Sequence, residues 1–377
     1  MTSEVTAAQR LEKKLVLERL VLAAIGSATV TRDEVSSRVM GLAQLDQYGS
    51  GLTDDDLQYV ISSVETKVNL VIVPDTVLTS TDFKPWLDAE RQAKIDWLRW
   101  EAYSAMLQQK AFAPVVLDRM KSRSETVLEL AGDPLKAGPW ARRGLVIGDV
   151  QSGKTANYLA LFNKAADAGY KIIILFGGHT DKLRQQTQER VDEGFIGRDS
   201  RVIAQKGAIV DSRFGVGRQV GFVPATGMTT WHSDFSAAQL YGSNLAVQAL
   251  NGPVIFVIKK NKKIIENLIA WLKTQLNVGE ENLDFPMMLL DDEADYASIN
   301  TNKPDDDPTK INQAIRDLLM VFKRNTYVGF TATPFANVFI DPEQEADLFP
   351  RDYIFSLESP SNYFGPEKMF DESETSA

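Results

Sequence analysis

The stretch Gly148-Asp-Val-Gln151-Ser152-Gly153-Lys154-Thr155 sets glycine, lysine and a hydroxyl at the spacing G-x-x-x-x-G-K-[ST]. That spacing suits the cradling of a polyphosphate. Glycines let backbone N–H groups turn inward around phosphate oxygens, and a helix opening at the loop adds positive potential. Lys154 would reach the β- and γ-phosphates, and the Thr155 hydroxyl would ligate magnesium. An apolar run, Leu145 to Ile147, precedes the loop and a helical pattern follows it, the context that separates a phosphate loop from a glycine-rich turn. The expected cofactors are ATP and Mg2+. GTP is disfavoured, because Asn261-Lys262 is followed by Lys263-Ile264 and lacks the aspartate of a guanine-reading N-K-x-D.

A second group lies at the tip of the apolar run MMLLDDEAD, where Asp292-Glu293-Ala294-Asp295 closes a strand. Acidic strand-to-loop turns are also common on surfaces as plain solvated turns. Behind a phosphate loop, Asp292 is placed to hold magnesium through water and Glu293 to polarise the attacking water. A third group, Thr331-Ala332-Thr333-Pro334, follows another buried run. Its two hydroxyls could hydrogen-bond the acids, Asp295 among them, and couple nucleotide state to a neighbouring domain.

These groups need a sheet to hold them. From about residue 140, the runs RGLVIG, YKIIILFGG, PVIFVIKK, FPMMLLDDE and NTYVGFTATP are apolar throughout, as strands buried on both faces of a parallel sheet must be. Helical patterns such as TANYLALFNKAADAG, closed by Gly169, and KIIENLIAWLKTQL alternate with them, giving an α/β doubly wound pattern. Residues 205 to 252 have little period and read as an extended loop system. Upstream, the text is helical: Thr31 and Glu34 stand at capping-box spacing, Thr53 precedes three carboxylates, and Trp97, Trp100 and Tyr103 form a stripe suited to packing. NLVIVP reads as a short strand. The expected organisation is a helical N-terminal domain over 1–110, an ATPase domain over 111–345 and a linker over 346–377.

Composition narrows the class of protein. The chain has 377 residues, 44% hydrophobic and 24% charged, enough for two domains. A formal net charge of -10 gives no general affinity for nucleic acid, so any such contact needs local basic clusters. The lysines 259, 260, 262 and 263 form one, although charge runs at strand ends are commonly just solvated. With no cysteine and two histidines, neither a disulfide framework nor a thiolate metal site can form, which fits a reducing cytoplasm. His179 reads as a satisfied loop histidine. The N-terminal segment carries charges among its apolar residues and reads as an amphipathic helix, neither signal peptide nor membrane span, so the expected protein is soluble and contacts no membrane.

In the order phosphate loop, D-E-A-D, T-A-T-P, the three groups resemble motifs I, II and III of superfamily 2 helicases and translocases. The loop V-Q-S-G-K-T-A-N, the helix L-R-x-Q-T-Q-x-R and T-A-T-P-F-A-N resemble together the Z1 domain family of bacterial ATPases, over roughly residues 110 to 365. The resemblance implies a RecA-like first lobe, and a motor subunit of ATP-dependent restriction or phage-defence systems. Such a subunit acts on double-stranded DNA in a hetero-oligomer, beside a separate nuclease of the phospholipase D type or beside MORC-like ATPases. It carries Lys154, Thr155, Asp292, Glu293, Thr331 and Thr333 into the family's roles. It also implies that Arg184, Gln185, Gln188 and Arg190 occupy the place of the DNA-contacting motif Ia. A polar helix of this kind is otherwise most often a solvated face.

Two parts of a complete motor are missing from the text. No second phosphate-loop core and no Q-x-x-G-R-x-x-R string follows Thr333, so the expectation is one lobe of two, hydrolysing ATP slowly by itself. Neither histidine is followed two positions on by lysine, which excludes the H-x-K core of a phospholipase D nuclease and assigns cutting elsewhere. Two other readings stay open: an RNA helicase, favoured by the literal D-E-A-D, and a nucleotide-controlled assembly switch that moves along nothing.

Overall fold

Apolar runs without polar alternation must be covered on both faces, and the five runs downstream of residue 140 become inner strands of a single sheet. The computed structural model describes residues 7–25, 32–65, 76–80, 83–148, 153–203, 212–220, 225–236, 246–276, 281–295, 309–332, 348 and 350–357. Two compact units divide between Asp75 and Thr76.

The first unit contains α1 (Ala7–Ile25), α2 (Arg32–Ala43), α3 (Asp46–Gly49) and α4 (Asp54–Glu65). Leu17, Val21, Val35, Val39, Val60 and Val64 recur at helical spacing and form a small apolar core. The start of α4 is a reciprocal cap: the Asp56 carboxylate accepts from Thr53 N–H at 3.0 Å and the Thr53 hydroxyl accepts from Asp56 N–H at 3.3 Å. Thr31 and the NLVIVP stretch lie outside the described residues. No described helix is long and apolar enough to cross a membrane.

The second unit runs β1 (Thr76–Thr79), α5 (Ala89–Lys94), α6 (Leu98–Gln109), α7 (Pro114–Leu130), β2 (Trp140–Ile147), α8 (Lys154–Ala168), β3 (Ile172–Phe176) and α9 (Asp181–Val191). A π-turn, Asp192–Ile196, follows. Then come α10 (Ser200–Ile203), α11 (Val216–Val220), β4 (Thr226–Gly227), β5 (Val254–Ile258), α12 (Lys262–Lys273), β6 (Leu283–Asp292), α13 (Lys310–Met320), β7 (Phe322–Thr331) and β8 (Tyr353–Ser356). The sheet order is β1-β8-β2-β7-β6-β3-β5-β4, parallel except for β1. The strand leading to the phosphate loop, β2, and the acid-tipped strand, β6, flank β7, a RecA-like arrangement. Alternation along β6 serves two layers: Met288 and Leu290 face the core shared with α6, α7 and α8, and Met287 and Leu289 face the core shared with α12 and α13.

Two boundaries differ from those that composition suggests. The helical domain expected over 1–110 would take in α5 and α6, yet both belong to the sheet unit, where Trp100, Tyr103 and Met106 share a core with Tyr158, Leu159 and Phe162 of α8. Helices that flank a sheet carry the same 3.6-residue period as helices of a bundle, so period alone cannot assign them. The aromatic stripe does pack, and Trp97 and Trp100 also cover the Lys164 ammonium at 4.5 and 4.7 Å. The second correction concerns the linker expected over 346–377: β8 lies inside it and pairs with both β1 and β2. Its Tyr353 ring fills the space Gly144 leaves, where a Cβ would fall 1.9 Å from the ring. Four residues are too few for a periodic signal. Among the described residues, the Gly-rich stretch over 205–252 contributes α11, two-residue β4 and one 3-10 turn.

Candidate nucleotide site

The site starts where β2 ends. Gly148 N–H donates to the Thr331 carbonyl at 2.9 Å, carrying the β2–β7 ladder one residue past the strand. At the far side of the loop, Gly153 adopts left-handed φ 70° and opens α8 with no side-chain cap. Among the described residues, a Cβ there would meet only Asn157 Nδ2 at 3.9 Å, and the left-handed φ by itself calls for glycine. The first-turn N–H groups of α8 thus stand at the loop without a capping side chain. Lys154 and Thr155, half-buried, are its first two residues. Gln151 and Ser152 lie outside the described residues.

The strand period sorts the two aspartates at the tip of β6. Asp292 shares the face of Met288 and Leu290, toward α8, and Asp291 shares the face of Met287 and Leu289. Burial pushes the Asp292 carboxyl up to about 6; Lys154 pulls it down, Glu293 and Asp291 push it further up, and Lys260 pulls it down. Beyond it Glu293 is exposed, at φ 61°, with its Oε2 3.8 Å from His179 Nδ1. Ala294 N–H donates to the Phe330 carbonyl at 2.9 Å, and the Thr331 hydroxyl donates to Asp295 Oδ1 at 2.9 Å. Gly329 permits this closeness: a Cβ there would sit 2.9 Å from that of Ala294. Thr333 lies outside the described residues.

These groups fit a magnesium nucleotide. The uncapped helix start and the Lys154 ammonium supply donors for phosphate oxygens, and a hydroxyl and a carboxylate supply oxygen for a hard cation. Asp292, raised by burial among other acids, gains most from a nearby cation.

The residues expected at nucleic acid fare differently. Arg184 has a 1% exposed side chain and donates to the carbonyls of Thr230 and Trp231 at 3.0 and 2.8 Å. Gln188, fully buried, donates to Asp192 and accepts from the Thr229 hydroxyl, both at 2.8 Å. Both fasten the 229–234 loop to α9 and present nothing to a surface ligand. Gln185 is half-buried on α9. Exposed Arg190 donates to Thr155 Oγ1 at 3.0 Å, which puts it at the first turn of α8. Lys260 is 2% exposed and pairs with Asp291 at 2.6 Å, which removes it from the basic surface cluster. Lys262 forms an exposed i,i+4 pair with Glu266 at 3.0 Å, an ordinary solvated contact.

Residue types alone do not point to Arg190 at the loop or to the Lys260–Asp291 pair. One signal for the pair was present, since adjacent aspartates on a strand face opposite sides and only one can serve the phosphate loop.

No protein-family model matches the chain, and no curated protein matches it. Among solved structures it is similar to the helicase domain of Hef from Pyrococcus furiosus, at 14% identity and a TM-score of 0.34. The likeness covers 60% of this chain and 36% of that one, so this chain spans about a third of the solved protein's length. So distant a likeness carries no argument about activity.

Proposed function

We propose that this chain is the ATP-hydrolysing lobe of a helicase- or translocase-like motor that acts on double-stranded DNA within a restriction or phage-defence complex. Cleavage falls to a separate nuclease subunit of the phospholipase D type. One observation carries the ATPase part: Lys154, Thr155, Asp292, Glu293 and Thr331 converge at the C-terminal ends of β2, β6 and β7, three adjacent strands. The combination of V-Q-S-G-K-T-A-N, L-R-x-Q-T-Q-x-R and T-A-T-P-F-A-N, which resembles the Z1 domain, supports the DNA and restriction part.

Bound Mg-ATP would supply the scissile phosphoanhydride and the charge that neutralises it. Lys154 and the first N–H groups of α8 would bind phosphate oxygens. Thr155 and Asp292 would hold the metal. Glu293 reaches into solvent at the tip, where a water can be oriented and its proton accepted. The Thr331–Asp295 bond ties the acid turn to the strand that leads onward to Thr333, a path by which hydrolysis can be felt elsewhere in the chain.

The test is ATP hydrolysis by the longest natural form of the polypeptide, with and without its neighbouring subunit, at fixed salt. Duplex DNA, single-stranded DNA and RNA are compared, and Lys154→Ala serves as the phosphate-binding control. Strong stimulation by duplex DNA, absent in the control, is the expected result. Stimulation by RNA alone would replace DNA as the track, and indifference to every nucleic acid would leave a nucleotide-controlled switch.

A further inference from the structure

Glu293 holds a backbone conformation that a residue with a Cβ adopts only where its surroundings impose it, φ 61°. The bonds already described, Ala294 N–H to Phe330 and the Thr331 hydroxyl to Asp295, act on the residues after it. On Glu293 itself acts Lys260: its ammonium donates to the Glu293 carbonyl at 2.7 Å and to the Asp292 carbonyl at 3.3 Å.

Lys260 is itself held in place. Its N–H donates to the Gly178 carbonyl at 3.1 Å, just before His179, whose ring faces Glu293. Its ammonium lies 2.6 Å from Asp291 Oδ1, with the two side chains 2% and 0% exposed, and Tyr327 donates its hydroxyl to Asp291 Oδ2 at 2.9 Å. A lysine ammonium has three N–H bonds, and three oxygens stand within 3.3 Å of it: one carboxylate and two carbonyls of the turn. A buried cation is tolerated only with such partners, so its position is defined by them and theirs by it.

We propose that Lys260 is a positioning residue of the nucleotide site. Its ammonium, locked to Asp291 on the opposite face of β6, grips the carbonyls of Asp292 and Glu293 and so fixes the turn that presents one carboxylate toward the metal and the other toward water. This rests on the ATPase reading above and deepens it: the ends of β3 and β5 become part of the machinery that shapes the acid turn.

Replacing Lys260 alone would strand a buried carboxylate and is expected to cost folding. The test therefore uses the uncharged double variant Lys260→Met/Asp291→Asn in the full chain, with two readouts. In the first, amide exchange at Ala294 is compared with that at Ile173–Leu175 and Met288–Leu290. Exchange at Ala294 is expected to speed up about tenfold or more while the strand amides stay protected. In the second, kcat for ATP is expected to fall about tenfold or more with nucleotide affinity within about twofold of wild type, since the phosphate loop is untouched.

A folded variant that keeps Ala294 protected overturns the proposal whatever hydrolysis does. So does loss of protection throughout the strands, which would make the pair a stability element, or an unchanged kcat with a loosened turn. A wild-type chain that neither binds nor hydrolyses ATP, beside selective loosening at Ala294, would uphold the hold of Lys260 on the turn and bring down the ATPase reading instead.

Discussion

Arg190 donates one of its five guanidinium N–H bonds to the Thr155 hydroxyl. At 3.0 Å from Thr155 Oγ1 it stands at the start of α8, where the proposed nucleotide would place its phosphates, with further donors for an anion. Arg190→Ala is expected to weaken ATP binding about tenfold relative to ADP, the size of one lost charge-assisted bond of about 1.5 kcal/mol. Competition titrations with the two nucleotides at fixed magnesium would check this. If Arg190 instead contacted DNA phosphates, its loss would lower the salt slope of duplex binding by about one and leave nucleotide affinity alone. The contrast with Lys154 and Thr155 explains what sequence could convey at this scale. Their place follows from their distance along the chain to the end of an apolar strand, a local fact. Whether Arg184, Gln188 or Lys260 is wet or buried depends on what folds over it, here the 229–234 loop and the acid turn, and those partners lie far away in sequence.

At the scale of elements, α9 is as polar as a surface helix and yet buries one face, because polar side chains can be buried when carbonyls and hydroxyls meet them. The exit of that helix is the π-turn at Asp192. The carboxylate accepts from Gln188 at 2.8 Å, from Ser200 N–H at 3.0 Å and from the Ser200 hydroxyl, yet burial outweighs these bonds and pushes it up from 3.8 to about 6. A carboxyl whose folded value exceeds its unfolded value binds its proton more tightly when folded. Its contribution to stability is thus fully present below about 3.8 and is lost as pH rises through about 6. At 2% exposure the upper limit of that contribution is about 3 kcal/mol. Denaturant unfolding of wild type and Asp192→Asn between pH 4 and 7.5 would check it: the gap between them should shift against wild type as pH rises, and a constant gap would contradict the raised value. The strands were legible as elements, since unbroken apolar runs of β-branched residues fit little else. A π-turn and a four-residue strand leave no period to read.

The reach of the folded sheet unit decides which piece of chain can work at all. Periodicity would end it near residue 345, but β8 is inserted between β1 and β2, beside the strand that delivers the phosphate loop. Removing β8 takes away the Leu357 N–H bond to Ile147 at 2.7 Å and the Asp352 carboxylate that accepts from Arg143 N–H at 2.6 Å and Arg142 Nη1 at 2.9 Å. It also removes the Tyr353 ring, 1% exposed, from the face of Gly144, and emptying an aromatic site of that kind costs about 3–5 kcal/mol. That loss alone approaches the whole stability of a domain. A chain ending at residue 345 is therefore expected to lose the cooperative unfolding of the sheet unit, and its nucleotide binding with it, because β2 then lacks the neighbour that supports Ile147 just before Gly148. A chain ending at residue 365 keeps every one of these contacts and should unfold like the full polypeptide. Calorimetry and nucleotide titration on the two truncated chains decide the matter. Full nucleotide affinity in the shorter one would show that β7 alone supports the loop and that β8 is dispensable to the site.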